Sequence, residues 1–264
     1  MNVLAVGGRV AAAAGRLVMR RSGRGGGVVL GYHDVVDAPE ADLELSVTVA
    51  QLRTQLLTVR RAGFRIVPLA DLLGRLLAGD DVDGLAAVSF DDGLAGVPRH
   101  ALPVLHELEV PATVFAVTSC WGGASSWWPE AGPVMTRAEL VSLHEAGLAI
   151  GAHTRTHRSL PGLTDDELRA ELAGGRDDLE QLVGAPVDLL AYPFGHHDPR
   201  VRAATQDAGF AAAHTFRNGR VGPADDRWRL ARFTMTRRHT RSRLAYHLAR
   251  TASSWPPQPD RALD

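Results

Sequence analysis

Two aspartates side by side and two histidines four positions apart carry the most chemical information in this chain. Asp91 and Asp92 stand in Ser89-Phe90-Asp91-Asp92-Gly93, and the histidines in His153-Thr154-Arg155-Thr156-His157. Adjacent carboxylates are costly to bury without a partner, although Asp and Gly are also ordinary turn residues. Two imidazoles at this spacing can converge on one ion, and alone they are equally at home as exposed or capping side chains. Together, two histidines and a carboxylate form a recurrent catalytic metal set that leaves coordination positions open for water and substrate. A third segment, Ala191-Tyr192-Pro193-Phe194-Gly195, reads as a proline-glycine turn that could aim a backbone N–H at a developing oxyanion.

Each segment follows a short apolar run, and those runs alternate with helical patterns. Strands are expected at Val28 to Tyr32, Phe64 to Val67, Leu85 to Phe90, Ala112 to Val117, Leu148 to Gly151, Val187 to Tyr192, Phe210 to His214 and Leu230 to Met235. Helices are expected from Leu52 to Gly63, Asp71 to Leu77, Val97 to Leu108, Thr136 to Ala146, Thr164 to Val183 and Thr240 to Arg250. Thr136 with Glu139, and Thr164 with Glu167, have the spacing of capping boxes. This rhythm predicts an α/β fold with a parallel sheet, closed as a barrel or left open. Polar groups just past strand ends are where barrel active sites are built.

The chain has 264 residues, 45% hydrophobic and 22% charged, enough for one large α/β domain or two small ones. A net charge of −1 gives no basis for attraction to nucleic acid. The single cysteine, Cys120, excludes an internal disulfide framework and has no histidine close in sequence to activate it. Val3 to Met19 is apolar but interrupted by Arg9 and Arg16, so it makes neither a good signal peptide nor a membrane span. Residues 1–27 read as an N-terminal extension, flexible or a surface helix, that permits at most weak membrane contact. A cytoplasmic or membrane-peripheral location is the expectation. Residues 28–252 form the expected catalytic domain, and the proline-rich 253–264 a tail.

The order and spacing of the three segments is far more specific than any one of them. With Pro111-Ala112-Thr113-Val114-Phe115 and the opening Gly31-Tyr32-His33-Asp34, the sequence resembles the polysaccharide deacetylases, the NodB-homology group or carbohydrate esterase family four. The resemblance spans roughly Val28 to Arg250. It implies a distorted, incomplete (β/α) barrel of mostly parallel strands, acting on an acetylated carbohydrate. It implies that Asp92, His153 and His157 bind a divalent metal, zinc first, with cobalt, nickel or iron as other options. Asp91 would be the general base, Thr154 a supporting hydroxyl, and the backbone N–H near Phe194 an oxyanion donor.

Two positions depart from the family pattern. Many members start the third motif with an arginine that steadies the base, where this chain has Ala191; Arg232 could supply that guanidinium from a late strand. The late Leu-x-His that carries the general acid has no clean copy. His33 is the preferred substitute, with His239 and His247 as weaker options. Trp127 and Trp128 could stack on sugar or pack as a lid. His100, His106 and His144 are expected to serve as surface or packing residues, and His196 and His197 could line the cleft. Two other readings use the same residues: a carbohydrate-binding pseudoenzyme, or a non-haem iron oxygenase, which would leave Asp91 without a role and sits poorly with strand–helix alternation.

Overall fold

The computed structural model describes residues 25–38 and 43–249. The expected extension (bar Gly25 to Gly27), the tail and Arg250 therefore lie outside the described residues. The central sheet is wholly parallel and curls on itself. Its strands are β1 (Val28–Tyr32), β4 (Arg65–Ile66), β5 (Leu85–Phe90), β6 (Thr113–Ala116), β7 (Ala149–Ala152), β8 (Leu189–Ala191), β9 (Ala212–His214) and β10 (Phe233–Thr234). They run in the order β10-β1-β5-β6-β7-β8-β9, with β4 on the first half of β5 and β6 on its second half. The seam between the two ends is crossed by one short segment. Leu230 bridges His214 of β9, and three residues later Phe233 pairs with Leu30 of β1. A (β/α) barrel results, distorted because its last strand is only two residues long.

Alternation along the strands sorts side chains into two layers. Val28, Leu30 and Tyr32 of β1, with Ala86, Val88 and Phe90 of β5, face outward into the helical layer. Val29, Ala87, Phe115, Ala191 and Ala212 face inward and meet Leu69, Leu72, Leu73 and Leu76. Those leucines belong to the helix Leu69–Leu77, which closes the barrel floor. Inside, the barrel rises from apolar residues to Ser89, His214 and Arg232, and then to Asp91 and His153 at the mouth.

The outer helices are α1 (Val49–Arg61), α2 (Leu69–Leu77), α3 (Leu102–Glu107), α4 (Arg137–Glu145), α5 (Asp165–Arg169), α6 (Gly175–Val183), α7 (Pro199–Asp207) and α8 (Arg241–Ala249). Capping boxes start α4 at Thr136 and α5 at Thr164, as expected, and a third, Thr48 with Gln51, starts α1. The expected helix Val97 to Leu108 opens with a π-helical turn, Val97–Ala101, because Pro103 has no N–H to give to the carbonyl four residues back. The long helix Thr164 to Val183 is α5 and α6 joined by a second π-turn, Ala170–Gly174, and Gly184 ends it in the left-handed conformation. Two three-residue strands, β2 (Asp34–Val36) and β3 (Ser46–Thr48), pair in parallel beside the mouth.

The glycine run expected to be flexible is anchored at its end. Gly27 is buried and exchanges backbone hydrogen bonds of 2.8 and 3.0 Å with Val221. Next to it, the buried Arg220 donates to Gly26 O at 3.0 Å and to Leu248 O at 2.8 Å, tying the start of β1 to the end of α8. No helix among the described residues is long and apolar enough to cross a membrane.

Candidate metal centre and active site

The site sits on loops that leave the carboxyl ends of β1, β5, β7 and β8, together with the segment entering β10. After β5 the chain turns sharply at Asp92, whose φ of 68° is in the left-handed region. After β7 it does so twice, at Thr154 (66°) and His157 (61°), and after β8 at Phe194 (57°). Four of the five non-glycine residues with positive φ among the described residues are therefore on these loops. Each such residue costs on the order of 1–3 kcal/mol and persists only where its surroundings hold it, a pattern typical of functional sites.

These turns bring three donors together. Asp92 Oδ1 lies 3.4 Å from His153 Nε2 and 3.2 Å from His157 Nε2, and one ligand atom from each residue falls within 4.8 Å of the others. All three side chains are buried. His153 Nδ1 donates to Ala191 O at 2.7 Å; a carbonyl only accepts, so Nδ1 carries a proton and Nε2 is the nitrogen turned toward Asp92. Burial raises the Asp92 carboxyl, but hydrogen bonds from His153 and His157 outweigh it and hold the group well below the usual range. Burial lowers His157; for His153 burial pulls down too, but the bond to Asp92 and the charges of Asp91 and Asp92 raise it. A permanently negative oxygen between two imidazole nitrogens, shut off from water, fits a divalent cation.

Asp91 faces a different partner. Arg232 clasps it in a bidentate pair at 2.7 and 2.7 Å, with both side chains at 2% exposure or less. Arg232 also donates to Thr215 O at 3.2 Å and Ser89 Oγ at 3.3 Å, and Phe115 and Phe216 flank its guanidinium. Burial alone would raise the Asp91 carboxyl; the Arg232 charge prevails and keeps it ionised. The two neighbouring aspartates thus meet different partners, one two imidazoles and the other a guanidinium.

His33 is in the same mouth, packed against Phe216 (ring centroids 5.2 Å apart) and edge-on to Trp128 at 6.4 Å. Burial lowers its pKa while Asp92 and Asp91 pull it up, and its Nδ1 has no hydrogen-bond partner among the protein's groups. Phe194 stands half exposed at the rim with its ring against His157 at 4.7 Å. Trp127 stacks on the other side of His157 at 4.4 Å and 18°, so the tryptophan loop packs over the site.

Other histidines have other company. His239 precedes α8 rather than lying in it, and packs ring to ring with His247. His197 stacks on Tyr192, and His196 Nδ1 lies 3.0 Å from Ser159 Oγ. His100, His106 and His144 contact Asp37, Ala146 O and Leu148 O respectively.

Two residues of the site have no sequence signal. His214 is fully buried below Arg232, with neither ring nitrogen bonded to protein; burial and the Arg232 charge push its pKa down to about 3. Glu171, buried on the π-turn, accepts from Arg155 N at 3.0 Å, from Thr156 N at 2.8 Å and from the Thr156 hydroxyl. Its partners are backbone groups 15 and 16 residues away, which no local pattern reveals.

Comparisons with known proteins agree with this geometry. Among curated proteins, the chain is 24% identical over 132 residues to YxkH of Bacillus subtilis, a candidate polysaccharide deacetylase, covering 50% of this chain and 44% of that one. It is 28% identical over 123 residues to chitin deacetylase 1 of Cryptococcus neoformans, covering 46% and 23%. The chain thus spans less than half the length of these relatives. Its fold superimposes on IcaB from Ammonifex degensii with a TM-score of 0.75 at 25% identity, covering 86% of this chain and 98% of that one. For the deacetylase PplD of Streptococcus pyogenes the TM-score is 0.73 at 19% identity, covering 84% and 97%. The family profile described as polysaccharide deacetylase matches residues 78–213, just over half of the chain and the stretch that holds Asp91, Asp92, His153, His157 and Phe194. The chain belongs to the polysaccharide deacetylase family.

Proposed function

We propose that the chain is a metal-dependent hydrolase that removes acetyl groups, N-acetyl ahead of O-acetyl, from a carbohydrate. The observation that carries this reading is the division of the aspartate pair, with Asp92 beside two imidazole nitrogens and Asp91 clasped by Arg232. The chitin deacetylase among the relatives favours an amide over an ester. Asp92, His153 and His157 would hold the metal, with zinc preferred and cobalt, nickel or iron as other options. When bound, such an ion polarises the acetyl carbonyl and acidifies water.

The chain's own residues supply the rest. Asp91 is held anionic and oriented by Arg232, and its remaining lone pairs accept the proton of the attacking water. The water oxygen bonds to the acetyl carbon, and the resulting oxyanion is received by the Phe194 backbone N–H. His33 donates a proton to the sugar nitrogen as the C–N bond breaks, leaving acetate and a free amine. Trp127, Trp128 and Phe194 limit the access of bulk water to these groups. Arg232 stands in for the arginine missing at Ala191, which favours an active enzyme over a binding-only relative.

The test is acetate release from a panel of N-acetylated oligosaccharides by the wild type and Asp92→Ala, after chelation and with zinc, cobalt or nickel restored. Metal-dependent release that disappears in the variant supports the reading. A wild type that binds no metal under any condition, or binds it and releases no acetate, overturns it.

A further inference from the structure

The two histidines beside Asp92 are held in different ways. His153 has the usual support of a metal-ligating imidazole, a hydrogen bond from its second nitrogen to Ala191 O. His157 has no such bond: its Nδ1 is buried without a partner among the protein's groups. Trp127 stacked on it and Phe194 edge-on to it fix the plane of its ring but not the height of its backbone. That height is set by the loop from Thr154 to His157, whose two ends are both left-handed.

Three successive N–H groups of this loop are satisfied by side chains. Thr154 Oγ1 takes His157 N at 3.1 Å from within the loop. Glu171 takes Arg155 N and Thr156 N from outside, together with the Thr156 hydroxyl. Consecutive N–H groups converging on one anion make a backbone nest, and here the anion is the one buried glutamate among the described residues. The helix that carries Glu171 also touches the loop directly. A Cβ on Gly175 would lie 3.0 Å from both Arg155 N and the Thr154 carbonyl carbon, so the helix rests bare backbone against the loop. One turn further, Asp178 accepts from Arg155 Nε at 3.1 Å and from Thr118 Oγ1 at 2.9 Å. Glu171, Gly175 and Asp178 lie on one helix face, and the π-turn at 170–174 falls where that face meets the loop.

We propose that Glu171 is the positioning residue for His157, replacing the hydrogen bond its ring lacks by clamping the loop backbone on both sides of Arg155 and holding the Thr156 hydroxyl. This rests on Asp92, His153 and His157 being the metal site. Glu171 touches no substrate and no ligand atom; it acts through the loop. Gly175 is the second half of the clamp, because only a residue without Cβ lets the helix come close enough for the carboxylate to reach.

The experiment is equilibrium cobalt and zinc binding to the full chain, with the cobalt absorption spectrum as the reading of ligand geometry, for wild type, Glu171→Gln, Gly175→Ala and His157→Ala. Glu171→Gln keeps the size of the side chain and turns one acceptor into a donor facing N–H groups. It is expected to weaken cobalt about 10- to 100-fold, as loss of outer-shell support typically does, and to alter the spectrum. Gly175→Ala keeps the carboxylate, favours helix and should shift affinity the same way, so a folding defect in one variant leaves the other to decide. In the His157→Ala background, Glu171→Gln should leave the residual affinity unchanged, which a generally structural residue would not do. Wild-type affinity and spectrum in both single variants, or an equal loss with and without His157, overturns the proposal. A wild type that binds metal but releases no acetate would remove the proposed activity and leave this inference standing; a wild type that binds no metal overturns both.

Discussion

Replacing Arg232 by methionine tests the most heavily buried charge pair among the described residues. Methionine puts an apolar side chain between Phe115 and Phe216 in place of the guanidinium, and Asp91 loses the cation that clasps it. Breaking a buried pair by removing one member costs about 3–5 kcal/mol, because the other charge stays behind without water. The same loss acts on the Asp91 carboxyl by raising its pKa, because the charged form is the one left without a partner. The sign of the pH dependence reverses with it. In the wild type the depressed Asp91 contributes stability above about pH 4 that is lost as pH falls through its folded value. In Arg232→Met the carboxyl is raised, so stability is greatest at low pH and is lost as pH rises through the new value. Urea unfolding at pH 5 and pH 8 reads the stability, and the acid limb of kcat/KM should move to higher pH. Asp91→Asn in the same background should recover most of the lost stability while abolishing activity. A variant within about 1 kcal/mol of wild type at both pH values, with an unmoved acid limb, would refute the reasoning.

His214 gives the opposite case without any active-site chemistry. Its folded pKa of about 3 lies below the ordinary 6.5, so the unfolded chain binds the extra proton and stability falls as pH drops from 6.5 toward 3. The slope is at most about 1.4 kcal/mol per pH unit from this residue, and His214→Leu should flatten it between pH 6 and 4 in urea titrations; an unchanged slope would place the acid sensitivity elsewhere. His33→Ala should lower kcat about 100-fold or more on an N-acetyl substrate while sparing metal affinity. On an activated ester, whose leaving group needs no proton, the loss should nearly vanish, and an equal loss on both substrates would rule His33 out as the acid.

Much of the fold could be read from the chain because its signals are local. Strand β1 and strand β5 are continuous apolar runs, and Thr136 with Glu139 and Thr164 with Glu167 announce their helices three residues apart. The clustering of Asp92 with His153 and His157 was equally legible, since the two histidines share one loop and Asp92 follows a strand. What escaped was short or distant. Strands β2 and β3 have three residues each, too few for a period to show. The π-turns look like ordinary helix, because an insertion of one residue per turn leaves composition untouched. Arg232 was placed by a gap in a motif rather than by its own surroundings, and it reaches Asp91 across 141 positions. Glu171 could not be found at all, because a surface helix with an acid every few residues hides which one turns inward.

Arg220 binds Gly26 and Leu248 with the two ends of one guanidinium. Gly26 leads into the amino end of β1, whereas His33 lies just beyond its carboxyl end, so the length of the strand separates this anchor from the mouth by roughly 20 Å. A pull applied at Gly26 or at Leu248 therefore meets the same guanidinium, on the side of the barrel away from the mouth. A load applied at either anchor would reach the Arg220 staple before it reached the loops that carry Asp92 and His157.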